Sequence, residues 1–207
     1  LDCEPFRAGT VDTGVLASLT YQPNELEVIR PGLEMTVQAY PGRQGYWEVG
    51  VPPSGPMDDL SFQLGNRLLD NPPDAAGLEM VLGGAKIRFR GTTRCILTGA
   101  KVQATLDEQP ITRGQVFTVT AGQVLSVNAM EEGLRAYLLI QGGLDLPDFL
   151  GSPATFVLGK FGGHQGRALR QLDVLRWHES ERPATWAAVD EREQTPLRSR
   201  HTLRVLL

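Results

Sequence analysis

The chain has 207 residues, of which 41% are hydrophobic and 21% are charged, enough for one or two compact domains with a buried core. Its formal net charge of -4 gives no electrostatic footprint for nucleic acid or for an anionic membrane. The 23 glycines and 14 prolines favour a turn-rich, mainly β protein over a helix bundle.

The two cysteines, Cys3 and Cys95, lie far apart, and neither belongs to a C-x-x-C pair. We therefore expect neither a disulfide framework nor a zinc site, and reduced thiols in a cytoplasmic protein are the simplest interpretation. The sequence contains no apolar run as long as a membrane span and no basic-then-apolar signal segment.

Residues 1–25 show little regular alternation and are interpreted as a connector or as the tail of a preceding domain. From residue 26 the pattern changes to short apolar runs that end at Pro-Gly or glycine turns, which is typical of β-strands. These runs predict strands at residues 26–30, 35–40, 77–82, 85–90, 93–98, 102–106, 115–119, 124–128 and 134–140.

Many short strands and few helices favour a closed β-barrel or a sandwich over residues 26–178. Residues 179–196 are polar and predict a linker, and residues 197–207 would begin a second barrel. Because the sequence ends on a strand-like apolar run, we expect the chain to be a fragment of something larger.

Residues 46–59, called the first loop, contain Pro-Pro and Ser-Gly-Pro and cannot lie inside a strand or helix. The helix that follows is predicted from apolar residues at helix spacing, Met57, Leu60, Leu64 and Leu68. Ser54 or Asp58 could supply the N-cap oxygen. A rigid loop that enters a helix would leave backbone N–H groups for an anionic or carbonyl ligand. The alternative is a tight strand-to-helix connection with no ligand.

A second notable stretch runs from Gly151 to Arg167 and contains Gly151-Ser152 and then glycines at 159, 162, 163 and 166. With the two residues before it, this stretch makes up residues 149–167, which are called the second loop. His164 is a candidate acid–base group, and Arg167 is a candidate two-pronged grip on a carboxylate. The loop has neither the Gly-Lys-Ser/Thr of a Walker loop nor the strand–helix context of a Rossmann fingerprint. The alternative is a glycine-rich hairpin with a solvent-facing histidine.

Other chemistry is poorly supported by the sequence. Ser54 does not lie in a G-x-S-x-G elbow, and His164 and His178 are too far apart to be interpreted as a pair of metal ligands. Glu79 lies in a predicted strand, where pairing with an arginine is favoured over a role in a site.

The chain resembles the allophanate-hydrolase-subunit-two family through several motifs that occur together and in order. They are Val49-Gly50-Val51-Pro52-Pro53-Ser54-Gly55-Pro56-Met57-Asp58, Gly77-Leu78-Glu79, Thr98-Gly99-Ala100, Gln141-Gly142-Gly143-Leu144-Asp145, Gly151-Ser152 and Gly162-Gly163-His164-Gln165-Gly166-Arg167. The resemblance implies a cyclophilin-like closed β-barrel with one or two short helices. The family includes the carboxyltransferase part of urea carboxylase, alone or fused in urea amidolyase, and a subunit of bacterial 5-oxoprolinase.

Tyr46-Trp47-Glu48-Val49-Gly50-Val51-Pro52-Pro53 resembles the carboxylase branch of this family. That branch implies transfer of a carboxyl group from carboxybiotin to a urea nitrogen, giving allophanate. The sequence contains neither an Ala-Met-Lys-Met biotin acceptor nor an ATP-grasp motif, so biotin-carboxylase and biotin-acceptor domains are expected elsewhere, and this chain alone is expected to lack complete activity. The alternatives are a lactam-activating 5-oxoprolinase subunit and a non-catalytic regulatory module.

Loop chemistry and motif membership together nominate two groups of site residues. The candidates for catalysis are His164 and Asp58. The candidates for substrate binding are Ser54, Gly55, Gln165, Arg167 and Glu79. The two loops are expected to converge at one mouth of the barrel, with Ser54 and His164 at a shared cavity around a planar, uncharged nitrogen compound.

Overall fold

The computed structural model describes residues 23–180 together with the single positions 188 and 202. The strands are β1 (Glu25–Pro31), β2 (Glu34–Gln38), β3 (Gly77–Val81), β4 (Gly83–Phe89), β5 (Thr93–Leu106), β6 (Gln109–Ile111), β7 (Val116–Val119), β8 (Val124–Ile140), β9 (Leu144–Asp145) and β10 (Val174–Trp177). Among these residues there is one α-helix, α1 (Asp59–Leu68), and one short 3₁₀ turn, Trp47–Val49. The prediction of a mainly β protein is confirmed.

Two pairs of predicted strands are single long strands in the structure, because a glycine bends each one without ending it. Residues 93–98 and 102–106 both belong to β5, and residues 124–128 and 134–140 both belong to β8. Gly99 has a φ of 85°, and a Cβ there would lie 2.6 Å from the carbonyl oxygen of Arg135. The register between β5 and β8 shifts at this point, as expected for a glycine at a β-bulge.

The sheet is antiparallel and branches at β8. One path runs β2-β3-β8-β4-β1-β10-β9, and β5 pairs with β8 as well as with β6 and β7. The N-terminal half of β8 pairs with β4 and its C-terminal half pairs with β3, so the sheet divides at β8. Among the described strands the pairing does not close into a ring, and the predicted closed barrel is not formed by them.

The two faces of the sheet carry different side chains. The larger apolar cluster includes Leu78, Leu97 and Leu138, which occupy one row across β3, β5 and β8. The next residue on each strand belongs to a second row, made of Glu79, Thr98 and Tyr137. Because side chains alternate between faces, this polar row lies on the opposite side of the sheet from the larger cluster. Helix α1 packs on that side through a smaller cluster made of Phe62, Leu68, Leu69, Ile96, Tyr137 and Leu139.

Strand β2 lies at one end of the sheet, and its free edge is covered by the chain that follows β9. The carbonyl oxygen of Val37 accepts hydrogen bonds from Thr155 N at 3.0 Å and Thr155 Oγ1 at 2.8 Å. The carbonyl oxygen of Met35 accepts one from Leu169 N at 2.7 Å. The second loop therefore runs along the edge of β2 and protects it from pairing with another chain.

Most of the remaining domain predictions fall outside the described residues. The connector at 1–25 is described only from residue 23, and β1 begins at Glu25. The predicted linker and second barrel are described only at residues 179, 180, 188 and 202. Cys95 is a buried free thiol whose pKa burial raises, while Cys3 lies outside the described part. In the described part of the chain, no helix has the length and apolarity needed to cross a membrane.

Candidate functional site

Polar side chains of three neighbouring strands, β2, β3 and β8, accept hydrogen bonds from the backbone of the first loop. Three of its backbone N–H groups donate to them: Gly55 N to Gln38 Oε1 at 3.0 Å, Met57 N to Glu79 Oε2 at 2.9 Å, and Asp58 N to Tyr137 Oη at 2.7 Å. These N–H groups are therefore not available to a ligand, contrary to the expectation from the sequence. The physical reason is that the polar row of the sheet lies directly beneath the entrance to α1.

Glu79 is the centre of this support. Its side chain is 9% exposed, and its Oε1 accepts a hydrogen bond from Arg135 Nε at 3.1 Å. Its Oε2 accepts from Tyr137 Oη at 3.0 Å as well as from Met57 N. Burial, followed by the nearby Glu79 charge, raises the pKa of Tyr137 above its usual range. The interpretation of Glu79 as an arginine-paired carboxylate is confirmed, while its assignment to substrate binding stays a prediction.

Asp58 is the N-cap of α1, as one of the two sequence alternatives predicts. Its Oδ1 accepts from Ser61 N at 3.0 Å, and its Oδ2 accepts from Ser61 Oγ at 2.5 Å. Ser54, the other alternative, lies four residues before the cap in a left-handed conformation with a φ of 59°. Ser54 is partly exposed, and its hydroxyl makes no hydrogen bond to any residue of the described part.

Substitution of Asp58 separates its capping role from its charge. We expect Asp58→Ala to lower the free energy of unfolding by about 1 kcal/mol, because the N–H of Ser61 loses its acceptor. Asp58→Asn should lose much less, since asparagine caps helices about as well as aspartate. Chemical denaturation of the two variants measures the difference. Equal losses would show that the charge, rather than the cap, is what the helix requires.

The second loop gathers three predicted site residues around Asp173, which the sequence analysis did not single out. Arg167 donates two hydrogen bonds to Asp173, from Nη1 at 2.6 Å and from Nη2 at 2.8 Å. Arg167 Nη2 also donates to Gln165 Oε1 at 3.0 Å. His164 Nε2 lies 3.4 Å from Asp173 Oδ1. The two-pronged grip predicted for Arg167 is therefore present, but the carboxylate that it holds belongs to the protein.

His164 is the member of this group that can still meet a ligand. Its side chain is 20% exposed, and Nε2 faces Asp173. Its Nδ1 makes no hydrogen bond within the part of the chain that the structure describes. Asp173 therefore faces one ring nitrogen at ion-pair distance, and the other ring nitrogen is a candidate contact for a ligand.

The Asp173 carboxylate makes the stability of the chain depend on pH. Hydrogen bonding to Arg167 holds the pKa of Asp173 below its usual value. Since the folded pKa is depressed, this stabilisation is fully present above the usual aspartate pKa of about 3.9 and is lost as the pH falls through the folded pKa.

We therefore expect the stability advantage of the wild type over Asp173→Asn to be constant near neutral pH and to shrink below about pH 4. Denaturant unfolding at a series of pH values measures this advantage. Asp145→Asn, at a half-exposed carboxylate 3.6 Å from His178 Nε2, is the control and should show no comparable acid loss. An advantage unchanged through acid pH would contradict the ion pair.

The two loops are connected, although no hydrogen bond or ion pair joins Ser54 or Asp58 directly to His164 among residues 23–180. Strand β2 supports both loops, through Gln38 on the first and the Val37 carbonyl on the second. Arg43, which lies in the turn after β2 and is 1% exposed, bonds to both. An arginine in a glycine-rich turn carries no sequence signal of burial, so sequence analysis missed it.

A cleft of about 290 Å³ opens beside these connections. It is lined by the turn after β2, by Gly142 and Gly143, and by residues 151–153. Two motifs of the family resemblance therefore meet at one cleft. Neither Ser54 nor His164 lines it, and their predicted shared cavity stays a prediction.

Comparison with known proteins identifies the family. The family model described as "Carboxyltransferase domain, subdomain A and B" matches residues 49–207. The chain is 44% identical to urea amidolyase of Lachancea kluyveri over 86% of its own length and 10% of that protein. It is 34% identical to a 5-oxoprolinase subunit of Escherichia coli over 76% of the chain and 50% of that protein.

The solved structures agree. The crystal structure of Kluyveromyces lactis urea carboxylase superposes with a TM-score of 0.82 at 41% identity, covering 90% of this chain and 17% of that one. Kluyveromyces lactis urea amidolyase gives a TM-score of 0.77 at 43% identity, covering 88% and 11%. The chain thus spans only a small part of the urea-processing relatives that it matches. It belongs to the family of carboxyltransferase domains, subdomains A and B.

Proposed function

We propose that this chain is part of a biotin-dependent carboxyltransferase that moves a carboxyl group from carboxybiotin to urea, giving allophanate. The observation that carries the proposal is the 44% identity to urea amidolyase over 86% of the chain. The identity to the Escherichia coli 5-oxoprolinase subunit is lower, 34% over 76% of the chain. The biotin-carboxylase and biotin-acceptor domains of the same protein or of a partner chain would complete the reaction.

The polar groups of the two loops that have no hydrogen-bond partner among the described residues suit a neutral, planar substrate. Urea carries no charge, so oriented hydrogen-bonding groups should recognise it better than charged groups. The Ser54 hydroxyl and His164 Nδ1 are such groups, whereas Arg167 and Glu79 are neutralised inside the protein. We therefore propose that Ser54 and His164 contact the ligands and that the other candidate residues support these two.

The proposed step needs one base and a held substrate. Biotin, attached to another domain, would supply the carboxyl group from its ureido nitrogen. The carboxyl group would pass from the biotin nitrogen to a urea nitrogen, and the proton that the urea nitrogen gives up would return to the biotin nitrogen. His164, oriented by Asp173, is the group proposed to carry that proton.

The remaining predicted site residues take supporting roles in this proposal. Asp58 fixes the start of α1 and remains the second candidate for the base. Gly55 takes the positive φ of 90° that lets the chain turn beneath Ser54. Gln165 and Arg167 hold the second loop around Asp173, and Glu79 holds the first loop.

The intact protein that contains this chain tests the proposal. Urea, guanidine and 5-oxoproline are supplied separately with ATP, magnesium and labelled bicarbonate, and label fixed into acid-labile carboxylated product is counted. We expect urea-dependent fixation. Consumption of ATP with 5-oxoproline alone would overturn the proposal in favour of a lactam-activating subunit. A response to none of the three would favour a regulatory module.

The 5-oxoprolinase alternative has one specific observation in its favour. The chain covers 50% of the Escherichia coli 5-oxoprolinase subunit but 10% of the Lachancea kluyveri urea amidolyase. Two finer predictions from the sequence belong to the main proposal and stay predictions. They are a closed, cyclophilin-like barrel in the whole domain and a cytoplasmic location.

A further inference from the structure

We infer that Arg43 is a positioning residue that fastens the second loop to the first and so holds His164 in place. The inference rests on the proposed function for its catalytic consequence. Its structural part, the fastening of residues 149–167, stands independently. Sequence analysis assigned Arg43 no role.

The Arg43 guanidinium is surrounded by carbonyl oxygens of the second loop. Nε donates to Phe149 O at 3.0 Å, and Nη2 donates to Ser152 O at 3.3 Å and to Ala154 O. Its Cζ lies 4.9 Å from the centre of the Phe161 ring, in a cation–π arrangement. One buried side chain therefore contacts four residues of the second loop.

The same residue reaches the first loop through its backbone. Arg43 N donates to Pro53 O at 2.7 Å, immediately before Ser54. Among the described residues, Arg43 is the one that hydrogen bonds to both loops. Gly162 packs so closely that a Cβ there would collide with Arg43 Nη2 and with Ala154 O, so the second loop has glycine where it meets the guanidinium.

The fastening extends to His164 by one further hydrogen bond. The carbonyls of Ser152 and Ala154, which Arg43 holds, flank Pro153. Pro153 O in turn accepts from Gly163 N at 2.8 Å. Because Gly163 immediately precedes His164, a shift of residues 152–154 would move the backbone that carries the imidazole.

The energetics favour a role in positioning over a role in stability alone. Arg43 is 1% exposed, and no carboxylate neutralises it among the described residues, so carbonyl dipoles and one ring face offset the cost of burying its charge. Burial lowers the pKa of Arg43. Its Nη1 has no hydrogen-bond partner within the described residues. An apolar side chain would fill this space without the cost of burying a charge. It would not, however, hold the carbonyl groups of Phe149, Ser152 and Ala154 in place.

Replacing Arg43 with lysine gives the most discriminating test. Lysine keeps the positive charge but lacks the planar set of N–H donors that reaches several carbonyl oxygens. Arg43→Lys and Arg43→Met are made in the intact protein. Arg30→Lys is the matched control, since Arg30 also donates to a carbonyl, Gly84 O at 2.6 Å, but is exposed and makes no bond to either loop. Hydrogen exchange is followed by mass spectrometry on peptides from residues 149–167, from β3 and from β8.

We expect both Arg43 variants to exchange faster over residues 149–167 and to leave β3 and β8 unchanged. In urea carboxylation, kcat should fall by about tenfold or more, of the order that a misplaced group costs, with little change in the KM for urea. ATP-dependent carboxylation of free biotin, carried by another domain, should be unaffected. Arg30→Lys should match the wild type throughout.

Wild-type exchange over residues 149–167 in Arg43→Lys would overturn the inference. Faster exchange in β3 and β8 as well would also overturn it, because Arg43 would then stabilise the whole fold. Altered loop exchange with an unchanged kcat would remove the positioning role. If the wild type does not carboxylate urea, the proposed function fails, while the exchange data still decide whether Arg43 fastens the loops.

Discussion

Replacing Glu79 with alanine is expected to lower the free energy of unfolding by about 3 kcal/mol, the low end of the cost of breaking a buried ion pair. The carboxylate is 9% exposed and is the acceptor for Arg135 Nε, Tyr137 Oη and Met57 N. Its removal leaves all three donors without this partner, and an unsatisfied buried donor costs more than a hydrogen bond contributes. Arg135 is 26% exposed and can turn toward water, which limits the loss.

Chemical denaturation of the chain measures this loss, with two further variants for comparison. Glu79→Gln keeps the shape and one acceptor oxygen, so it should lose less than alanine. Glu34→Ala, at an exposed carboxylate on the neighbouring strand, should change stability by less than about 0.5 kcal/mol. A loss below about 1 kcal/mol in Glu79→Ala would contradict the view that this carboxylate supports the first loop.

Local patterns predict the strands well because their causes are local. Alternation in residues 85–90 predicts β4, observed at Gly83–Phe89, and the apolar spacing after Met57 predicts α1. The strand boundaries are predicted wrongly at glycines, because a glycine can either end a strand or bend it. Gly99 and Gly133 both take positive φ, but they lie inside long strands as bends instead of ending them. Only the pairing of β5 with β8 distinguishes a bulge from a turn.

Some residues of the candidate site can be assigned a role from the sequence and others cannot. The difference is how far along the sequence each residue lies from its partner. Asp58 caps a helix that begins one residue later, so its role is visible in the sequence. Tyr137 and Arg43 act on partners that the sheet brings close, 79 residues away at Asp58 and 106 residues or more away in the second loop. Asp173 is only six residues from Arg167, but its position depends on backbone hydrogen bonds between the chain around it and Val28 of β1. Long-range partners of this kind require the fold.

Under the proposed function, replacing His164 with alanine in the intact protein should lower kcat for urea carboxylation by about 10²- to 10⁴-fold, the usual contribution of a positioned acid–base group. The argument is geometric: Asp173 lies 3.4 Å from Nε2, the side chain is 20% exposed, and Nδ1 has no hydrogen-bond partner among the described residues. ATP-dependent carboxylation of free biotin should be unchanged, because the proposed function assigns that step to another domain. Labelled bicarbonate fixed with urea, compared with label fixed on free biotin, measures the two steps separately.

His178→Ala is the matched control for this experiment. His178 also faces a carboxylate, with its Nε2 3.6 Å from Asp145 Oδ1, but it is 59% exposed and lies outside both loops, on the side of the cleft formed with Gly142 and Gly143. The two histidines therefore differ mainly in burial and in their place relative to the loops. If both variants keep wild-type urea carboxylation, the base lies elsewhere, and Asp58 becomes the next residue to test through Asp58→Asn, which keeps the helix cap. If His164→Ala alone fails and His164→Gln does not recover activity, proton transfer rather than hydrogen bonding is what the imidazole contributes.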